Sequence, residues 1–304
     1  MHTTRALGPG AGLGWLRQAI NLGRSNPRAV FGAVALLAVV ALIPSVVQLI
    51  LQQGLGLGAG ALVNVVGLLS LLMLVLYPLL IGGLLRVIDD AEHGRPTHAT
   101  ALFAAFRAGS DAGRLVAFGV LITLVYVAAF GAVLAVFGPG VFGWYMQVLD
   151  ASMQGDQAAI ATAVQAVPDG LGTVMALGTL VGLFCTGVYA IGFGQVALGE
   201  RPVLAALGDG IAGTLKNLLP IVLLAAVAFL GLLVFMGIFA LVLAVLVGLG
   251  SLVHPSVGML LALPVYLAML LVLYVVMFGV MYFMWRDVCG VTDDTSGGTD
   301  TLAV

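Results

Sequence analysis

Asp89, Asp90, Glu92, His93 and His98 bring three carboxylates and two imidazoles together within ten residues. Oxygen and nitrogen donors of this kind hold divalent metals. The spacing argues for something plainer: no two histidines stand at i, i+4, and Gly94-Arg95-Pro96 interrupts any helix between them. The stretch reads as a solvated, charged loop. A second formal motif, Gly208-Asp-Gly210-Ile-Ala-Gly213, has the G-x-G-x-x-G form. A dinucleotide fingerprint also requires a preceding strand and a βαβ unit. Here one apolar run precedes and another follows, so flexible interfacial turns account for the glycines. Cys185 falls inside an apolar run and Cys289 just past the last one, at depths too different to bridge. A serine or cysteine nucleophile needs an adjacent base and a third, orienting group, and no such constellation occurs. The chain therefore reads as a non-enzyme, with no catalytic, cofactor-binding or metal-binding residues.

The elements that would have to position any chemistry are unusually greasy. Apolar residues make up 62% of the 304 and charged residues 8%, with a mean hydropathy of +1.20. Soluble domains are roughly 25% charged. The net charge of −2 excludes a basic nucleic-acid binder, and two cysteines cannot make a disulfide framework. A transmembrane helix needs about 20 apolar residues to cross roughly 30 Å of hydrocarbon. Six stretches meet that length: Ala29–Leu51, Ala61–Leu85, Leu115–Phe137, Leu171–Leu198, Asn217–Val247 and Ser256–Trp285. None contains Asp, Glu, Lys or Arg. Barrel strands are about ten residues long and alternate in polarity, so helices are expected. The N-terminal residues 1–28, with four arginines, do not resemble a cleaved signal peptide. The fold class that follows is all-α, a polytopic six-span membrane bundle over 29–285.

Arginine sets the orientation. All eleven basic residues lie before the first span, between the second and third, between the fourth and fifth, or after the sixth; the other three connections have none. By the positive-inside rule both termini face the cytoplasm, and the expected compartment is the bacterial inner membrane. Arg24, Arg28, Arg107, Arg114 and Lys216 form a collar beside the cytoplasmic ends of the odd-numbered spans. Each cation close to an anionic leaflet gains about 1 kcal/mol. Topology anchoring explains the collar, and contact with lipid headgroups is the functional alternative. Membrane lipids are thus the expected partners.

A repeat underlies the pattern. Arg95-Pro96 and Arg201-Pro202 lie 106 residues apart, and at that offset Leu115-Val116 falls on Ile221-Val222 and Gly131 on Gly237. At an offset of 87, Pro9 falls on Pro96, Trp15 on Leu102 and Phe31-Gly32 on Phe118-Gly119. Each unit has a proline, a short amphipathic segment, a span, an outer loop and a returning span. Three parallel two-span units imply a pseudo-threefold axis along the membrane normal. The short segments carry apolar rows: Leu13, Leu16, Ile20; Ala99, Leu102, Phe103, Phe106; Leu204, Leu207, Ile211, Leu215. Such helices lie in the interface with the apolar row toward the acyl chains.

The outer loop Gly138–Gly170 carries Asp150, Asp156 and Asp169 and no base. Helix-spaced Phe142, Met146, Leu149 and Met153 precede a second helix that Asp156 would cap, running through Val167. This loop is either a helical cap over the bundle or a surface for a protein partner. Gly178-x-x-x-Gly182 offers a small face for close helix packing. Pro44, Pro78 and Pro264 interrupt spans, each freeing a backbone carbonyl. Residues 286–304 are expected to form a disordered cytoplasmic tail, acidic toward its end.

Gly14-Trp15-Leu16…Asn26-Pro27-Arg28 and Leu79-Leu80-Ile81-Gly82-Gly83…Gly94-Arg95-Pro96…Leu102-Phe103…Phe106-Arg107 resemble a family of uncharacterised proteobacterial six-span inner-membrane proteins. That family is distantly similar to the membrane domain of some glycerophosphodiester phosphodiesterases. The resemblance implies a membrane role and no activity or site residue. The expected function is binding, scaffolding or membrane homeostasis with lipid contacts. The alternative is a transporter or channel for lipid or apolar molecules, without proton coupling.

Overall fold

The computed structural model describes residues 4–51, 59–107 and 111–290, and every regular element among them is helical. The tail expected from 286 is helical at its start, through Cys289, and from 291 onward it lies outside the described residues. Six helices are long and apolar enough to cross a membrane: α2 (Pro27–Leu49), α3 (Ala59–Glu92), α4 (Ala112–Phe137), α7 (Leu171–Ala197), α9 (Leu218–Ser251) and α10 (Pro255–Cys289). Shorter helices are α1 (Ala11–Ile20), α5 (Pro139–Gln154), α6 (Gln157–Gln165), α8 (Val203–Lys216) and a 3-10 helix at Ala99–Phe106.

Local sequence sets several of these starts. Proline opens α2, α5 and α10, where its missing N–H is one of the helix's orphan donors in any case. The Asn26 side chain accepts from the Ala29 N–H at 3.2 Å. Asp156 accepts from the N–H groups of Ala158 and Ala159, capping α6, which ends at Gln165 rather than at Val167. The chain leaves α5 through Gly155 at φ 71°, a left-handed turn that costs glycine nothing.

Two local expectations are corrected. The second span does not give way to a loop after Leu85: α3 continues through Arg86, Asp89 and Asp90 to Glu92, and the turn comes at Gly94 with φ 66°. Charged side chains that have cleared the apolar layer leave the helical hydrogen bonds intact, so the helix outlasts its hydropathy. The glycines at 208, 210 and 213 lie within α8, not in flexible turns. A Cβ at Gly210 would stand 2.8 Å from the Val188 carbonyl oxygen, and one at Gly213 2.9 Å from Ile191 Cδ1. Those two let α8 press onto α7.

The helices pack in a regular order. The returning spans α3, α7 and α10 touch one another, while α2, α4 and α9 each lie against their own returning span. Contacts also join α3 to α4, α7 to α9 and α10 to α2. The short helices follow the same order. The 3-10 helix packs on α2 and α3, α8 on α4 and α7, and α1 on α9 and α10.

Burial is concentrated at the end that carries the basic residues, here the basic end. Its core includes Trp15, Val30, Leu84, Ile88, Leu102, Leu115, Phe118, Ile191, Phe193 and Tyr282. Toward the far end the same helices are mostly exposed: successive residues of α9 from Phe229 to Met236 present apolar side chains on every side of the helix.

The apolar rows of the short helices need a finer description. In α1 the buried face is Gly12, Trp15 and Ala19, and Leu13 and Ile20 remain 49% and 64% exposed. In α8 the buried face is Ala206, Gly210, Gly213 and Thr214, with Leu204, Ile211 and Leu215 outside. In the 3-10 helix Leu102 and Ala105 are buried while Phe103 and Phe106 are exposed. Each helix buries one face against the bundle, small in α8 and mixed in the other two, and leaves other apolar side chains outside.

Candidate functional site

The five collar residues separate into two groups. Arg24, Arg28 and Arg107 are exposed, and among the described residues their side chains make no hydrogen bond or ion pair. Arg114 pairs with Asp111 and donates to the Glu200 carbonyl at 2.7 Å. Lys216 donates to the carbonyl and hydroxyl oxygens of Thr4, each at 2.9 Å. The last two are therefore tied into the fold, Arg114 with its charge paired and Lys216 on neutral oxygens only, whereas the first three side chains have no protein partner among the described residues.

Around the collar the ends of the central helices are cross-linked. Tyr282 of α10 donates its hydroxyl to Asp89 of α3 at 2.9 Å. Trp285 of α10 donates to Gln195 of α7 at 3.3 Å. Arg86 of α3 donates to the Ala197 carbonyl of α7 at 3.1 Å, and also pairs with Asp111 at 3.0 Å. All three pairs of returning spans are thus tied at one level. Sequence reading had no access to these ties, because the residues of the first lie 193 positions apart. Gln195 also donates to Asp209 at 2.8 Å, and Arg201 reaches the same carboxylate at 3.1 Å.

The Asp89–His98 stretch is occupied by the same chemistry. Asp89 accepts from Tyr282 and Arg95, Asp90 accepts from Arg95 at 2.7 Å, and the His93 ring faces Asp89. The hydrogen bond to Asp90 pushes the Arg95 guanidinium pKa further up, with Asp89 adding to it. No group of three His, Cys, Asp or Glu suited to a metal stands together among the described residues.

A strap of chain closes over this end. The Arg5 N–H donates to the Val288 carbonyl at 2.9 Å, and the Arg5 side chain reaches the carbonyls of Arg286 and Gly290. Asn217, fully buried between α8 and α9, accepts from the Leu7 N–H and donates to the carbonyls of Arg5 and Gly213, all at 2.8 Å. Trp15 donates to Asp287 at 3.1 Å.

Close approach in α7 comes from glycines other than the pair singled out by spacing. A Cβ at Gly178 or Gly182 would meet only the Phe130 ring, at ordinary contact distances of 3.6 and 3.5 Å. A Cβ at Gly192 would stand 2.2 Å from the Phe118 ring, and one at Gly194 2.1 Å from Trp285 Cγ. Of the three interrupting prolines, Pro78 has a seat: a Cβ on Gly119 of α4 would stand 2.2 Å from its ring.

No family model, no curated protein and no solved structure matches this chain. The six apolar helices make it an integral, multi-pass membrane protein.

Proposed function

We propose that this is a binding or scaffolding protein of the bacterial inner membrane that performs no covalent chemistry and holds anionic lipid headgroups through Arg24, Arg28 and Arg107. The observation that carries the reading is the division of the basic collar. Three guanidiniums are exposed with no protein partner among the described residues, while Arg114 is paired with Asp111 and Lys216, also exposed, is held on the neutral oxygens of Thr4. Each free cation near an anionic leaflet contributes about 1 kcal/mol, so the three together contribute about 3 kcal/mol, diminishing as salt screens them.

Three parallel two-span units about a pseudo-threefold axis belong to the same reading. Its support is the cyclic order in which each short helix packs on the two spans of the preceding unit, with α1 joining the third unit to the first. Both termini are assigned to the cytoplasm on the arginine distribution. In the outer segment 138–170, the bond from Trp144 to the Ala163 carbonyl at 2.7 Å favours a helical cap, whose exposed Phe142, Tyr145 and Met153 would be the surface for a protein partner. Kinship with the six-span family is part of this proposal.

The test is native mass spectrometry of the full chain with Arg24, Arg28 and Arg107 all changed to Gln. Co-purifying phosphatidylglycerol should fall at least about tenfold, the equivalent of about 1.4 kcal/mol. An unchanged lipid complement overturns the headgroup role.

One observation favours a second reading, passage of lipid or apolar molecules without proton coupling. The far halves of the spans are loosely packed, and none of the most apolar window of α9 is buried. Vesicles holding the protein would then exchange a labelled phospholipid between leaflets faster than empty vesicles, whereas equal rates exclude it.

A further inference from the structure

A cleft of about 440 Å³ opens at the basic end, lined by Gly14, Arg17, Gln18 and Asn21 of α1, Glu92 at the end of α3 and Phe283 of α10. It is an open groove rather than an enclosed cavity. Arg17 and Glu92 are both exposed, and among the described residues neither side chain has a hydrogen bond or ion pair, with each other or with anything else. Opposite charges thus line one cleft without neutralising each other. The floor between them is fixed: Arg286 sits 4.7 Å above the Phe283 ring and donates to Gln18 Oε1, while Gln18 Nε2 donates to the Gly14 carbonyl at 3.2 Å. Asn21 spends its amide N–H on the Arg17 carbonyl at 2.8 Å, which leaves its side-chain oxygen as an acceptor.

We propose that this cleft binds the zwitterionic headgroup of a phospholipid with a primary ammonium, its phosphate on Arg17 and its ammonium on Glu92 and the Asn21 oxygen. Charge complementarity selects a ligand that carries both signs. The helix geometry selects a lipid over a soluble zwitterion. At about 100° per residue, Gly14, Arg17 and Gln18 share one face of α1, and Asn21, its C-cap, follows on the same side. The row of Leu13 and Ile20, both exposed, with Leu16 partly buried against the core between them, occupies the face immediately beside it. A headgroup in the cleft therefore places its acyl chains along that row. The arrangement does not involve Arg24, Arg28 or Arg107, so it stands or falls separately from the collar.

The full chain in detergent is offered equal amounts of phosphatidylethanolamine, phosphatidylcholine and phosphatidylglycerol with matched chains, and bound lipid is read by native mass spectrometry. Phosphatidylethanolamine should be retained over phosphatidylcholine, whose quaternary ammonium has no N–H to donate. Arg17→Gln and Glu92→Gln should each lower that retention about tenfold, the size of one charge-assisted contact. The exchanged pair Arg17→Glu with Glu92→Arg keeps both signs in the cleft and should recover most of it. Equal retention of the ethanolamine and choline lipids overturns the proposal, as does unaltered selectivity in both single variants. Soluble phosphoethanolamine that competes at the same concentration as the lipid overturns the lipid assignment.

Discussion

Asn217→Leu is the substitution whose outcome the structure constrains most closely. The side chain is fully buried and makes three hydrogen bonds of 2.8 Å, with the Leu7 N–H, the Arg5 carbonyl and the Gly213 carbonyl. Leucine has the same branched outline, with bulkier methyl ends, and supplies none of them. The Gly213 carbonyl still accepts from the Asn217 backbone N–H at 3.1 Å, so the two strap groups are the ones left unmade. A buried group deprived of its hydrogen bond costs about 1–3 kcal/mol. Partial exposure of the strap brings each to the low end, which gives about 2–4 kcal/mol in all. For a chain of this size that is a fall of roughly 5–10 °C in melting temperature. The decisive assay is hydrogen exchange on the purified chain. The amides of Arg5 and Leu7, bonded to the Val288 carbonyl and to Asn217, should lose protection together, while those of Leu84 to Ile88 in the central helix keep theirs. Removal of residues 2–7 should then make the remaining effect of Asn217→Leu small, because the two changes act through the same bonds. Full additivity of the two changes, or strap amides that stay protected in Asn217→Leu, refutes the reasoning.

Two further outcomes follow from packing at the same end. Gly83→Ala places a Cβ 1.9 Å from the backbone carbonyl oxygen of Leu102, which no rotamer change relieves. The overpacking penalty of about 1–3 kcal/mol should exceed the roughly 1 kcal/mol gained in helix propensity, so a thermal melt should fall; the same substitution at Gly67, where nothing lies within 4 Å, should not lower it. Tyr282→Phe removes the hydroxyl that ties α10 to Asp89 at 2.9 Å. A hydrogen bond to a charged group is worth about 1.5–3 kcal/mol, and urea titration should show that loss, with Asp89→Asn in the same background adding less than it does alone.

Hydropathy made the spans legible because an uninterrupted apolar run of this length has one stable setting. It could not locate their ends. The apolar layer stops near Leu85, but the α3 backbone goes on to Glu92, where charged side chains reach past the apolar layer. The short helices were legible from spacing, their contacts less so. Periodicity reports which face is apolar, and a membrane protein has two apolar surroundings, protein and lipid. In α1, Leu13 and Ile20 stay outside while Gly12, Trp15 and Ala19 are buried, the two small residues letting helices approach around the indole. The same physics hides Gly192 and Gly194, whose value depends on the rings of Phe118 and Trp285 arriving from other helices. In the collar, charge and position were visible, but the difference between Arg24 and Arg114 was not. Glu200, whose carbonyl Arg114 meets, lies 86 residues away.

In the proposed orientation the basic end faces the cytoplasm and α5 and α6 lie on the opposite side of the membrane. Alkaline phosphatase, which folds only outside the cytoplasm, tests it when fused after Gln154, in the turn between those two helices, and after Gly94, beyond the end of α3. High activity at Gln154 with none at Gly94 is the expected result; activity at Gly94 with none at Gln154 contradicts the orientation and with it the lipid contacts assigned to the basic end.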